Sequence, residues 1–177
     1  MCELANREVS CLPNAYRTGT LVATSAIACL STVAHAQLKT EKVLSYEAAK
    51  VIATTAVETC QGKGFCVSAT VVNRDGETVV QLRGDGASPH TIENSRRKAY
   101  TANTFRTDTA VYAKRLNDGD LVVRQQVTLP SVIAIGGGLP IKAGEEVIGG
   151  AAISGSPSGN DEVCVQAGLD KAKDLLR

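Results

Sequence analysis

The sequence predicts an α/β fold of the α+β kind, an antiparallel sheet of about five strands with helices packed on it. Three observations lead there. The periodic segments run helix, two strands, two helices, three strands, helix, without the regular alternation of a parallel crossover fold. The first two strands are joined by Asn73-Arg74-Asp75-Gly76, a strong turn signal. Of the 177 residues 44% are hydrophobic and 21% charged, enough apolar material for one packed core.

Each element has its own signature. Ser45 can cap a helix whose first turn carries Glu47. Ala48, Ala49, Val51, Ile52, Thr55, Ala56 and Thr59 then recur near helical period, and Gly62 is a stop. Phe65 to Asn73 is β-branched and strand-like, and Thr78 to Leu82 returns across the turn. A loop, Gly84 to Pro89, leads into the central helix, where Ser88 suits the cap and Pro89 the first position. That helix runs to about Arg106. A shorter one spans Asp108 to Leu116 and ends at Asn117-Asp118-Gly119. Val132 to Ile135 reads as a short strand and Glu146 to Ser154 as another. Pro140-Ile141-Lys142 fits an edge strand, where proline is permitted. The last helix starts near Asn160, with Val165, Leu169, Ala172 and Leu176 along one face.

The first 36 residues differ from the rest. Arg17, a short apolar run from Thr18 to Val33, then Ala34-His35-Ala36 is the layout of a secretory signal peptide cleaved before Gln37. The run is shorter and more polar than the roughly 20 apolar residues of a membrane span. Residues 37–44 form a short N-terminal segment and residues 45–177 one domain. A periplasmic or secreted location follows. Export permits a disulfide among Cys60, Cys66 and Cys164. Cys60 with Cys66, Cys60 with Cys164, and three reduced thiols all remain open. A net charge of +1, no Trp, two Phe and four Tyr argue against a nucleic-acid surface.

Few residues carry chemistry. His90 is the sole histidine after the leader, at the first turn of the central helix beside a glycine-rich loop. Imidazole is a common ligand for iron and other transition metals. No CxxC or HExxH pattern supports a zinc site, and no GxSxG elbow supports a serine hydrolase. Arg96, Arg97 and Lys98 are consecutive cations about 100° apart around the helix, so they cannot all face one ligand. Gly155 to Asp161 leads into a helix N-terminus, but Asp161 and Glu162 already occupy that first turn.

Two long stretches resemble a known family. GGLPIKAGEEVIGGAAISGSPSGNDEVCVQAGL, ending at Leu169, and VSATVVNRDGETVVQLRGDGASPHTIENSRRKAYTANTF, ending at Phe105, are similar to the GlcG/HbpS-type haem-binding (haem-degrading) family, related to the PduO C-terminal domain. The resemblance runs from about Ser45 to Leu175. It implies a profilin-like sandwich, assembly into homo-oligomers, and haem or another tetrapyrrole as the partner. His90 becomes the expected axial ligand of haem iron, with Ile92, Ala99 and Phe105 as the apolar slot and Arg96 or Arg97 for the propionates. Tyr46 and Cys60 are weaker candidate ligands. The leading expectation is an exported haem-binding protein with weak haem-degrading or iron-sequestering activity. The alternatives are a corrinoid-binding (cobalamin) or scaffold accessory protein, and a small hydroxy-acid enzyme using His90 or Glu93 as base.

Overall fold

The computed structural model describes residues 39–157 and 159–177. The signal-peptide reading of residues 1–36 lies outside the described residues. The elements are α1 (Tyr46–Gln61), β1 (Ser68–Asn73), β2 (Thr78–Arg83), α2 (His90–Phe105), α3 (Thr109–Asn117), α4 (Leu121–Gln126), β3 (Gly138–Ala143), β4 (Glu146–Ser154) and α5 (Asn160–Lys171). One 3-10 turn, Lys173–Leu175, follows. The strands form one sheet in the order β2-β1-β4-β3, and every neighbouring pair is antiparallel. Among the described residues, no helix is long and apolar enough to cross a membrane.

Among the described residues the sheet has four strands, one fewer than the expected five or so. Residues 132–135, expected as a strand, are a loop with its backbone claimed by α2. Arg97 donates to the Val132 carbonyl at 2.6 Å, and the Ile133 N–H donates to Thr101 Oγ1 at 3.0 Å. Val132 itself is buried with Tyr112 and Val123 in a small separate core. The added helix α4 is only six residues long. Asp120 starts it by accepting from the N–H groups of Val122 and Val123.

The two faces of the sheet are built differently. On one, α1 and α5 cover Ala69, Val71, Ile141, Ala151 and Ile153 in the main apolar core. Ser45 Oγ caps α1 through the Ala48 N–H. Cys60 near the end of α1 is bonded to Cys164 near the start of α5, with Cα atoms 5.6 Å apart. The two helices therefore run antiparallel. The loop-closing Cys60–Cys66 alternative is excluded, and Cys66 is a free, exposed thiol.

The other face carries α2 on small and hydroxyl residues. Ser68 and Thr91 share a hydrogen bond at 2.7 Å, and Thr70 and Ser95 one at 2.8 Å. Both pairs are buried, and each satisfies the other's polar group. A Cβ at Gly150 would run into the Ala99 carbonyl, and one at Gly138 into that of Lys98. Glycine at these two positions lets the α2 backbone lie directly on β3 and β4. That close approach carries Lys98 inward toward β4.

Candidate functional site at the head of α2

α2 starts at His90 with Pro89, not Ser88, at the cap, and Ser88 acts through its backbone. Its carbonyl accepts from the N–H and the hydroxyl of Thr91. His90, the first residue of the helix, is exposed. It lines a cleft of about 330 Å³ together with Asn94 and Lys98, one and two helical turns further on. The facing wall is the chain from Ser154 to Ser156, Gly159, and the first turn of α5 with Asp161 and Glu162. Ile135 and Gly136 close the side.

The deep end is fixed by a buried ion pair. Lys98 Nζ donates to Asp161 Oδ2 at 2.8 Å and to the Ile153 carbonyl at 3.1 Å. The two side chains are 3% and 7% exposed. The other carboxylate oxygen of Asp161 accepts from both the N–H and the hydroxyl of Ser156. This pairing spends the positive charge of Lys98 inside the protein. Glu162 has no such partner: its Oε2 is buried without a hydrogen bond among the described residues. Gly136 makes room for that carboxylate, since a Cβ there would strike Oε1. The cleft is thus polar, formally negative at the Glu162 end, and imidazole-bearing at its mouth.

The structure separates the other residues anticipated from sequence. Ile92 is half-buried, and its carbonyl accepts from Gln81 and Ser95. Arg96 holds Glu93 through two hydrogen bonds, at 2.7 and 2.9 Å, and reaches Ser131 at 3.4 Å. The hydrogen bond from Arg96 holds the Glu93 carboxyl below its ordinary range, and the same bond raises the guanidinium. Arg97 anchors the Val132 loop. Ala99 is packed beneath β4. Phe105 stacks on Tyr112, ring centroids 4.7 Å apart, about 22 Å along the helix from His90. Tyr46 stands on α1, across the sheet, and the Cys60 sulfur is in the disulfide. Of the residues named from sequence as ligand contacts, the cleft gathers His90 alone.

The sequence does not single out Asn94, Asp161 or Glu162 as contacts, and it offers Lys98 only as one of three consecutive cations. The spacing of His90, Asn94 and Lys98 by four residues was the available signal for one helical stripe. Nothing local marked Lys98 as the cation that turns inward. Among the described residues, no group of three or more His, Cys, Asp or Glu could hold a metal ion by itself.

Comparison with known proteins places this geometry in a family. A family model described as "Haem degrading protein HbpS-like" matches residues 44–170. Protein GlcG of Escherichia coli (strain K12) is 29% identical over 117 residues, covering 66% of this chain and 85% of that protein. The crystal structure of HbpS superposes with a TM-score of 0.70 at 37% identity, covering 76% of this chain and 93% of that one. A PduOC structure, solved as a haem complex, shares the fold at a TM-score of 0.68 and 24% identity, with 73% and 95% of the two chains covered.

Proposed function

We propose, from the premise that this chain belongs to the HbpS-like family, that it binds haem at the cleft of α2 with His90 as axial ligand to the iron. The observation that carries the reading is an exposed imidazole lining a cleft of about 330 Å³. A single protein ligand would suit haem iron, whose remaining nitrogen ligands come from the macrocycle. This also agrees with a described region that gathers no three-residue metal cluster.

The residues present fit the iron end of haem. Gly136, Gly155 and Gly159 keep side chains out of the cleft, and Ile135 offers an apolar contact. Lys98 is committed to Asp161, and the Glu162 carboxyl group is buried without a donor, so neither would offer a partner to the haem propionates. The roles expected for Arg96 and Arg97 as propionate partners become weaker, because each is engaged elsewhere. Bound haem supplies the iron and its redox chemistry. The chain supplies an orienting imidazole, a rigid polar wall and an acceptor at Glu162.

Saturable growth of a shifted Soret band on titration with hemin tests the binding. An equal response to cobalamin, or none to either, overturns it. Degradation is read in the same sample: bleaching of the band with release of chelatable iron under reductant and dioxygen marks turnover, whereas a stable band assigns sequestration. No relative described above is named with a corrinoid, and Glu93, once a candidate base, is held by Arg96 away from the cleft.

Two further features belong to this reading. Export is supported by the leader pattern at residues 18–36 and by a Cys60–Cys164 bond of the kind that persists in oxidising compartments. N-terminal sequencing of the mature protein, beginning at Gln37, tests it. Homo-oligomer formation is supported by Val111, Leu121, Val122 and Leu129, all at least half exposed on or beside α3 and α4. Light scattering distinguishes an oligomer from a monomer.

A further inference from the structure

Two cavities larger than the His90 cleft lie elsewhere among the described residues. One of about 690 Å³ and one of about 530 Å³ share Asp108, Leu139, Gln166 and Asp170, so they form a single trough between β3 and α5. It runs from Glu162 to Lys173, about 16 Å along the helix.

The trough has an apolar strip and a polarised length. Leu139, Leu169, Leu176 and Val163 line it. At one end stand Lys42, Lys142, Lys173 and Arg177. Arg177 is answered by Asp174 at 2.6 Å, and Lys42 donates to the Ala143 carbonyl at 3.4 Å. Lys142 and Lys173 are exposed and form no ion pair among the described residues. Asp170, lower in the trough, already accepts from Gln166 at 2.8 Å. Asp108 lies along the trough, and the far end closes on the carboxylate of Glu162. Negative charge is therefore best received at the lysine end, and Leu139, Leu169 and Val163 give an apolar strip that runs past the carboxylates of Asp108 and Asp170.

We propose that this trough binds the anion of a medium-chain fatty acid, its carboxylate between Lys142 and Lys173 and its chain running over Leu139 toward Val163. A second copy of the chain, turned by a two-fold axis so that its acidic end meets this basic one, is the rival occupant. The trough meets the His90 cleft only at Glu162, which lines both, and it does not depend on haem.

Calorimetric titration of the whole mature protein with octanoate, decanoate and dodecanoate, below their micellar concentrations, tests the proposal. Affinity should rise by up to about fourfold for each methylene buried. The charge-reversed variant Lys142→Glu/Lys173→Glu should lose at least about tenfold. Both lysines are exposed, so a circular-dichroism melt should match the native protein. Val163→Asp should weaken dodecanoate while sparing octanoate, and His90→Ala should change nothing. Flat affinity along the series, or unchanged binding in the double lysine variant, overturns the proposal. So does a protein that binds no dodecanoate and that light scattering shows to be assembled through this face, in which case the trough is an interface between copies.

Discussion

Replacing Lys98 by methionine probes the interaction that shapes the cleft. Methionine keeps most of the stem volume and removes the charge. It strands the Asp161 carboxylate at 7% exposure, with its Oδ2 deprived of the Lys98 donor and the Ile153 carbonyl deprived of its partner. Breaking a buried pair from one side costs about 3–5 kcal/mol. Asp161 keeps two donors from Ser156, so the lower end, about 3 kcal/mol, is expected. In urea that is a midpoint shift of about 1–3 M for ordinary m-values. Adding Asp161→Asn removes the stranded charge, so the double variant should recover part of the loss. The assay is equilibrium unfolding followed by circular dichroism. A Lys98→Met midpoint within about 0.3 M of the native one would mean that the pair does not hold the cleft wall.

Other substitutions test separate layers. Gly150→Ala forces a methyl against the Ala99 carbonyl and should cost at least about 1–3 kcal/mol, read from the same unfolding curves. Opening the Cys60–Cys164 bond by double serine substitution releases a loop of 104 residues and should cost about 4–5 kcal/mol; free-thiol counting should find one thiol in the native mature protein and still one in the variant. The Glu93 carboxyl is depressed in the fold chiefly by the hydrogen bond from Arg96. Its contribution is therefore present above the ordinary value of 4.5 and is lost as pH falls through the lowered one. With Glu93 56% exposed, that contribution is below about 1 kcal/mol. Glu93→Gln should flatten the acid limb of stability slightly and leave hemin titration unchanged.

Local signals were enough for the hairpin, for α1 with its serine cap, and for the span of α2. They failed where a distant group decides the outcome. Val132-Ile133-Ala134-Ile135 has strand composition, yet Arg97 takes the Val132 carbonyl and Thr101 the Ile133 N–H, which ties the segment to α2 instead of to a ladder. α4 was too short to show a period and is marked only by Asp120 at its start. The cysteine alternatives could be separated only once α1 and α5 were seen to pack antiparallel. At the site, His90 was legible because it was solitary and stood at a helix start. Lys98 was not. It lies 63 residues from Asp161, and the two meet because glycine at 138 and 150 lets α2 sink onto the sheet. A run of three cations gives no hint of which one turns inward; that is decided by how closely two backbones approach.

Hemin titration of the mature protein beside His90→Ala, followed at the Soret band, tests the role of the imidazole most directly. Saturable binding weakened more than about tenfold in the variant, over about 1.4 kcal/mol, is the predicted result. Equal affinity and an identical spectrum in the two proteins would contradict it, leaving the family intact and the imidazole without a role in the cleft.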